Sequence, residues 1–421
     1  MKVLSVSTSD MRGGAAKAAY RLHQGLLSLG VDSKMLVQSK SGEDPTVIAP
    51  LGKFRKGLSA LRPTLDMLPI SLFGGAQRSF STAWLPDGLD AQLQRLSPDI
   101  IHLHWVNKGF VRIESLPKFR GRLVWTLHDM WPMTGGCHSD LGCERYQEAC
   151  GNCPQLGRAC KHDLSDWILR RKKRAWDGLD LTLVCPSRWM AECAWESTIF
   201  REKRIEVIPN GLDLEVFRPV GRAAAREWLG LPKEKRLLLF SAINPLKNPY
   251  KGFAYFQQAM HRLRESQLGD DLEIVILGSN TPQEKPNLPF PAHYMGVLHD
   301  EISLALIYAA VDLLAAPSIQ DNLPQTVMEA IACGTPCAGF RVGGIPDMIT
   351  DQENGYLADF GDVQDIAHGI EWILEKPERY AKLSNEARLK AERQYDQKKT
   401  AKQYIDLYQD LIRRQGQEAD G

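Results

Sequence analysis

From one end of the chain to the other, short apolar runs alternate with segments whose apolar residues return every three or four positions. Met1–Thr8 is the first run, rich in Val and Leu. After Gly13 and Gly14, residues Ala15, Ala18, Ala19, Leu22, Leu26 and Leu29 keep helical spacing, and Gly30 fits a C-cap. Val31–Val37 is a second strand. Further strands are expected at Ile100–Trp105, Arg122–Leu127, Leu181–Cys185 and Glu206–Ile208. A second series follows at Arg236–Phe240, Glu273–Leu277, Tyr294–Leu298, Asp312–Ala316 and Pro336–Phe340. Repeated strand–helix units predict parallel sheets covered on both faces. The expected class is α/β, with two doubly wound domains facing a cleft and a hinge at Pro209–Pro219. Residues 41–97 carry little pattern, and Glu378–Arg414 is charged and helical in spacing.

Composition narrows this picture. A chain of 421 residues is too long for one ordinary core. Hydrophobic residues make up 43% and charged residues 24%, the balance of a globular protein. Basic and acidic side chains number 52 and 51, so no global field points to nucleic acid, and none is expected as a partner. No run of 18 apolar residues occurs, which excludes a membrane-spanning helix. The N-terminus reads as a strand and not as a signal peptide, so the expected compartment is the cytoplasm. There, nine cysteines do not suggest a disulfide framework.

Ligands of doubly wound sheets bind outside the carboxyl ends of the strands, so polar residues just after strands carry weight. The segment Ala316–Ile349 is the most informative. A strand ends at Pro317–Ser318, and a helix opens near Leu323–Pro324, where proline's missing N–H costs nothing. The helix carries Glu329 and stops at Cys333–Gly334. Its N-terminus, with free N–H groups and partial positive charge, suits a diphosphate. A nearby carboxylate suits a ribose diol. Asp321 and Glu329 are separated by seven residues, and Ala330 and Gly334-Thr335-Pro336 follow. His128 and Arg188 each follow a strand, the second as a phosphate or acceptor contact.

This pattern resembles the retaining glycosyltransferases of the GT-B fold, family four, of the type that builds bacterial exopolysaccharide or lipopolysaccharide. Ile208-Pro209-Asn210-Gly211-Leu212-Asp213 resembles the family's interdomain segment, and Lys251-Gly252 its diphosphate-binding lysine. Asp321 stands where the family usually has Glu. The arginine expected about five residues before Lys251 is missing, and Lys247 is the available substitute, without a guanidinium's two-pronged geometry. The resemblance implies an acceptor-side domain over 1–212, a nucleotide-sugar domain over 213–395, and a last helix over 396–421 returning to the first domain. It implies donor binding by Gly13, Gly14, Lys251, Asn322, Leu323 and Glu329. His128 and Asp321 would act at the donor sugar. No cofactor is implied for the transfer itself. The implied reaction moves a hexosyl unit from a UDP- or GDP-linked sugar to a saccharide, carried on a polyprenyl diphosphate, with the anomeric configuration retained.

Two further clusters stand apart. Cys137, Cys143, Cys150, Cys153 and Cys160 fall within 24 residues, beside His138 and His162. The spacing of Cys150 and Cys153 lets two thiolates reach one tetrahedral metal. Structural zinc tying down an insertion over 135–162, free thiols and disulfides all stay open. Trp167–Trp176 places Arg170, Arg171, Lys172, Lys173 and Arg174 between tryptophans, which suggests peripheral contact with an anionic membrane at the inner face of the cell membrane. Residues 53–78 add further basic and apolar positions. A sugar-nucleotide epimerase and a non-catalytic membrane scaffold remain alternatives. A nicotinamide enzyme does not fit, because Ser7–Lys17 lacks the glycine fingerprint.

Overall fold

The computed structural model describes residues 1–50, 53–72, 80–157, 160–280 and 286–419. The chain divides into two compact units. One is Met1–Gly211 together with the chain from Gln397 onward; the other is Leu212–Asp396.

The first unit holds a sheet of seven strands: β1 (Lys2–Ser9), β2 (Asp32–Ser39), β3 (Val47–Ile48), β4 (Ile100–Leu103), β5 (Arg122–Thr126), β6 (Leu181–Cys185) and β7 (Arg204–Val207). All pair in parallel, in the order β3-β2-β1-β4-β5-β6-β7. In β1, seven of eight residues are buried, as a strand covered on both faces requires. Helix Gly14–Ser28 follows it, and Val31 opens the return toward β2 after Gly30, whose φ of 78° no β-carbon opposes.

The C-terminal helix Gln397–Ala419 closes one face of this sheet. Tyr404, Leu407, Tyr408 and Leu411 bury against Val3, Leu22, Leu26, Ile100, Val124 and Val184. Each such side chain contributes about 1.5–3 kcal/mol when fully buried. Gly25 permits the close approach: a β-carbon there would lie 3.0 Å from the Ala401 methyl.

The second unit holds six parallel strands: β8 (Arg236–Ser241), β9 (Leu272–Leu277), β10 (Ala292–Tyr294), β11 (Leu313–Ala316), β12 (Cys337–Phe340) and β13 (Gly355–Ala358). Their order is β10-β9-β8-β11-β12-β13. Alternate residues of β8 enter opposite cores. Leu237 and Leu239 pack with Val275, Leu314 and Val327, while Leu238 and Phe240 pack with Phe253, Met260 and Ile370. At the base of this sheet the Asp312 carboxylate binds Arg222 at 2.7 Å, Arg226 at 2.6 Å and the Leu237 N–H at 2.7 Å.

Some boundaries differ from the sequence pattern. The strand expected at Tyr294–Leu298 is Ala292–Tyr294, because the chain leaves the sheet edge at Gly296, whose φ is 70° and whose carbonyl accepts the Gly278 N–H. The poorly patterned stretch 41–97 contains helices Lys53–Asp66, Leu68–Leu72 and Asp90–Leu96. No helix among the described residues is long and apolar enough to cross a membrane.

Of the basic segment, Arg170, Lys173 and Arg174 are exposed, whereas Lys172 is buried and so is not part of a membrane face. The segment lies in helix Leu164–Trp176, opened by Asp163, whose side chain accepts the Ser165 and Asp166 N–H groups. Lys172 shares the buried side with Ile168 and Trp176, four residues away in each direction. Its ammonium donates to the Trp131 and Thr134 carbonyls and stands 3.6 Å from the Trp131 ring centroid. Burial pushes its amine well below the usual lysine range. Arg171 pairs with Glu114 at 2.7 Å and donates to the Thr82 and Ala83 carbonyls. Arg170 pairs with Asp166, which leaves Lys173 and Arg174 as the exposed pair of the last turn.

The zinc reading of the cysteine cluster gains no support either. All nine cysteines are free thiols, and among the described residues no group of three or more His, Cys, Asp or Glu is arranged to hold a metal ion. Hydrogen bonds hold this stretch instead. Thr134 Oγ1 donates to the Cys137 carbonyl, the Asn152 N–H to the Cys160 carbonyl, and the Cys153 N–H to Asp163 Oδ2. Burial pushes the Cys137 thiol strongly up and that of Cys150 up to about 12; those of Cys143 and Cys153 also rise.

Truncating Lys172 leaves two buried carbonyls without their donor and opens a cavity. Lys172→Ala is expected to destabilise the protein by about 2–4 kcal/mol. Lys173→Ala and Arg174→Ala should each stay within about 0.5 kcal/mol of the parent. Urea unfolding midpoints compare the three; equal effects would show that Lys172 is not a core residue.

Candidate functional site

In each sheet the strand order reverses beside its first strand, between β1 and β4 and between β8 and β11. The loops leaving such neighbours diverge and open a crevice.

In the second unit, β8 leads through short turns at Pro245–Lys247 and Pro249–Lys251 into helix Phe253–Leu263. Gly252 has a φ of 70°, and a β-carbon there would overlap the Pro317 carbonyl oxygen. The glycine therefore lets the β8 loop lie directly on the β11 loop. The Ile319 N–H donates to the Tyr250 carbonyl at 2.8 Å across the same seam. Lys251 Nζ consequently reaches the Asp321 carboxylate and pairs with it. The Asp321 backbone is clamped from its other side, where Gly344 N–H donates to its carbonyl at 3.0 Å and Gly343 has no β-carbon to block the approach.

Asn322 is half-buried and Leu323 buried; Pro324 then precedes helix Gln325–Ala332, which begins without a side-chain cap. Lys251, Asp321, Asn322 and Leu323 are thus gathered at one end of the sheet. Glu329 lies lower, on the buried side of the helix with 4% exposure. It hydrogen-bonds the Tyr308 hydroxyl, which also bonds Ser241 at the end of β8. Burial and the Glu329 charge raise the Tyr308 phenol well above its ordinary range, so it remains a donor. An ammonium, a carboxylate and the positive end of a helix together offer a seat for a phosphorylated, hydroxyl-bearing ligand. The Lys247 side chain lies outside the described residues.

In the first unit, the crevice between β1 and β4 opens a cavity of about 1110 Å³. Gly13 and Gly14 line it, at the start of helix Gly14–Ser28. His128 stands beyond the end of β5, half-buried at the end of a histidine row whose other members, His102 and His104, are buried. His104 Nδ1 lies 3.1 Å from His128 Nε2, and the His102 and His104 rings are 4.1 Å apart. His102 bonds Thr126 Oγ1 at 2.8 Å and the Tyr408 hydroxyl at 2.7 Å, and Thr126 also bonds Tyr404. Burial holds His128 down to about 4 despite the Asp129 charge, and His102 down to about 3. The row is therefore neutral at pH 7, with each ring able to both donate and accept.

Asp129 was not singled out by the sequence. Its carboxylate takes the Trp105 indole N–H at 2.6 Å, the Trp131 N–H at 2.9 Å and His138 at 2.7 Å. Burial alone would raise its pKa, but His138 and these donors outweigh it and hold the carboxyl below its usual range. His102–Thr126, His104–His128 and Trp105–Asp129 are each 24 residues apart, two positions beyond the register that sets His102 opposite Val124. Arg188 opens helix Arg188–Glu196 behind the Ser187 cap and is exposed.

Comparison with known proteins gives the class of this chain: the glycosyltransferases. Residues 222–390 match the family of glycosyl transferases group 1, and residues 12–216 match glycosyltransferase family 4. The chain belongs to this group 1, family 4 assemblage of glycosyltransferases. It is 32% identical over 224 residues to a D-inositol 3-phosphate glycosyltransferase of Saccharomonospora viridis, covering 49% of this chain and 50% of that protein. A D-inositol 3-phosphate glycosyltransferase of a Mycobacterium species is 34% identical over 299 residues, 66% of this chain and 59% of its own length. The chain thus spans about half the length of the curated relatives it matches. Among solved structures, sucrose-phosphate synthase of Thermosynechococcus elongatus superposes with a TM-score of 0.69 at 19% identity, over 98% of this chain and 99% of the other. HepE of Anabaena, solved with UDP and glucose, gives 0.64 at 16%, over 97% and 100%. WaaG, a glycosyltransferase of lipopolysaccharide biosynthesis, gives 0.64 at 16%, over 96% and 99%. At these identities the likeness establishes the GT-B fold.

Gly252→Ala is expected to cost at least about 2 kcal/mol, from the left-handed backbone and the displaced Pro317 carbonyl together. Thermal unfolding measures this, and an unchanged midpoint would show that the two loops do not need the contact. The neutral histidines predict a second behaviour. Their folded pKa values lie below the unfolded value near 6.5, so the unfolded chain takes protons first as pH falls. Stability should be full above about pH 6.5 and decline toward pH 4, by up to about 1.4 kcal/mol per histidine per pH unit. Urea midpoints at pH 7.5, 6 and 5 test it; His128→Asn should reduce the slope.

Proposed function

We propose that the protein is a retaining glycosyltransferase. It moves a hexosyl unit from a UDP- or GDP-linked sugar to a hydroxyl of a saccharide acceptor. The observation that carries this reading is the Lys251–Asp321 pair, clamped at the crossover of β8 and β11 beside an uncapped helix N-terminus, within the group 1 domain. The bond between the anomeric carbon and the diphosphate oxygen breaks, and the acceptor oxygen bonds to that carbon. Negative charge develops on the leaving diphosphate, where Lys251 and the helix N–H groups are aimed. The acceptor hydroxyl's proton passes to a leaving phosphate oxygen, so the transfer needs no metal. Glu329, fixed by Tyr308, accepts hydrogen bonds from the ribose; Asp321 and the neutral His128 orient the donor sugar. HepE bound to UDP and glucose supports a nucleotide-sugar donor.

The acceptor is a saccharide on a lipid carrier, and the protein meets the inner membrane face peripherally. Support for that contact moves from the Arg170–Arg174 helix to the helices Lys53–Asp66 and Leu68–Leu72. There Leu58, Leu61, Leu68 and Leu72 are exposed, Leu72 by 80%. Apolar side chains on a short helix suit insertion at an interface without spanning it.

Calorimetric titration with UDP, GDP and their common sugar conjugates tests the donor site. One nucleotide should bind, and Lys251→Ala should weaken it at least ~10-fold through loss of a charge-assisted contact. No binding by any nucleotide would overturn the reading. Conversion of the donor sugar to its epimer with no acceptor present would instead make the protein an epimerase.

A further inference from the structure

We propose that His104 is a positioning residue: its Nδ1–H donates to His128 Nε2 and holds His128 in the tautomer that carries its proton on Nδ1. The use of that tautomer in transfer rests on the transferase reading above. The tautomer itself stands on the histidine row.

His104 is buried and fixed from several sides. Its main-chain N–H donates to the Val6 carbonyl of β1 at 2.9 Å, and its carbonyl accepts the Trp125 indole N–H of β5 at 2.9 Å. Its ring lies against that of His102, with the centroids 4.1 Å apart. His102 is held in turn by Tyr408 at Nδ1, 2.7 Å away, and by Thr126 at Nε2, 2.8 Å away. The placement of His104 Nδ1, 3.1 Å from His128 Nε2, is therefore set by main chain and packing before any ligand arrives.

One proton lies between those two nitrogens. Burial keeps both rings neutral at pH 7, so each carries a single N–H. Two arrangements satisfy the contact. If His128 donates, the His104 proton sits on Nε2, which is buried and has no hydrogen-bond partner. That strands an N–H where nothing accepts it. If His104 donates, its Nε2 keeps a lone pair at the same place. The C–H groups of an apolar core approach a lone pair as weak donors, but they offer an N–H no acceptor. The second arrangement is the cheaper one, so the inaccessible nitrogen of His104 decides the direction of the bond.

The consequence is felt at His128, which is half-buried where His102 and His104 are buried. Its Nε2 lone pair is committed to His104, and its own proton is on Nδ1. Toward a donor sugar it can then give a hydrogen bond and cannot take a proton. His128 orients the sugar, and the acceptor hydroxyl's proton is left to the leaving phosphate oxygen.

Proton–nitrogen correlation NMR of the full chain, carrying isotope-labelled histidine, tests this at about pH 7.5, where the row is neutral. The His128 signals are those that vanish in His128→Asn. They should show a protonated Nδ1 and a bare Nε2. His104→Asn places an N–H donor where Nδ1 was. It should keep that pattern, with kcat/KM for the donor within ~3-fold of the parent. His104→Leu removes the donor, so an Nε2-protonated population should appear and kcat/KM should fall ~10-fold, as for one lost hydrogen bond. A proton on His128 Nε2 in the parent overturns the proposal, and the parent spectrum decides this even where a variant fails to fold. Unchanged kcat/KM in His104→Leu also overturns it. The spectra need no substrate, so absence of nucleotide binding would remove the transferase reading while the tautomer was still decided.

Discussion

The second unit's site depends on one backbone contact. Gly252 rests on the Pro317 carbonyl at a distance that only hydrogen permits, and this brings the loop after β8 onto the loop after β11. Everything chemical at that end of the sheet follows from it. Lys251 precedes the glycine and is carried to Asp321; Tyr250 receives the Ile319 N–H; and Gly343 and Gly344 hold Asp321 from the far side. The pair is positioned by main chain and not by flexible side chains. A charged pair at a partly exposed site adds little stability of its own. Its value lies in having a cation and helix N–H groups already in place when an anion arrives, with little reorganisation left to do.

The first unit reaches a comparable order by a different route. Its polar row is buried, and the buried groups are satisfied almost pair by pair along β4 and β5. The C-terminal helix takes part directly. Tyr404 and Tyr408 lie 278 and 306 positions downstream of Thr126 and His102, which they bond. A buried imidazole without such partners would carry a desolvation cost that packing alone does not offset. The last helix therefore completes both the apolar core and the polar network beneath His128.

Much of this was legible in the sequence. Strand-like runs bounded by glycine and proline located most of the β-strands, because strands buried on both faces must be continuously apolar. The segment Ala316–Ile349 announced a strand–loop–helix unit, which the structure holds as β11, a loop and helix Gln325–Ala332. The stretch 41–97 was opaque because its helices are short, and their apolar residues are divided between core and surface. Leu72 is exposed while Ile70 is buried.

Local pattern determined the class of fold and the crossover loops, and placed Asp321 and His128 in loops after strands; Lys251 was marked only by its resemblance to a family motif. What a side chain faces was decided only by tertiary packing. Five consecutive cations read as one basic surface, yet helical periodicity turned Lys172 into the core, where two carbonyls and a tryptophan ring receive it. The cysteine cluster left zinc, free thiols and disulfides open from sequence; in the fold, hydrogen bonds from Thr134 Oγ1 and from the Cys153 N–H secure its segment. Asp129 carried no signal in the sequence and is the acceptor on which Trp105, Trp131 and His138 converge. Periodicity is a property of consecutive residues and is written in the chain. Burial and hydrogen-bond partnership arise between strands far apart in sequence, and only the folded sheet brings those groups within reach.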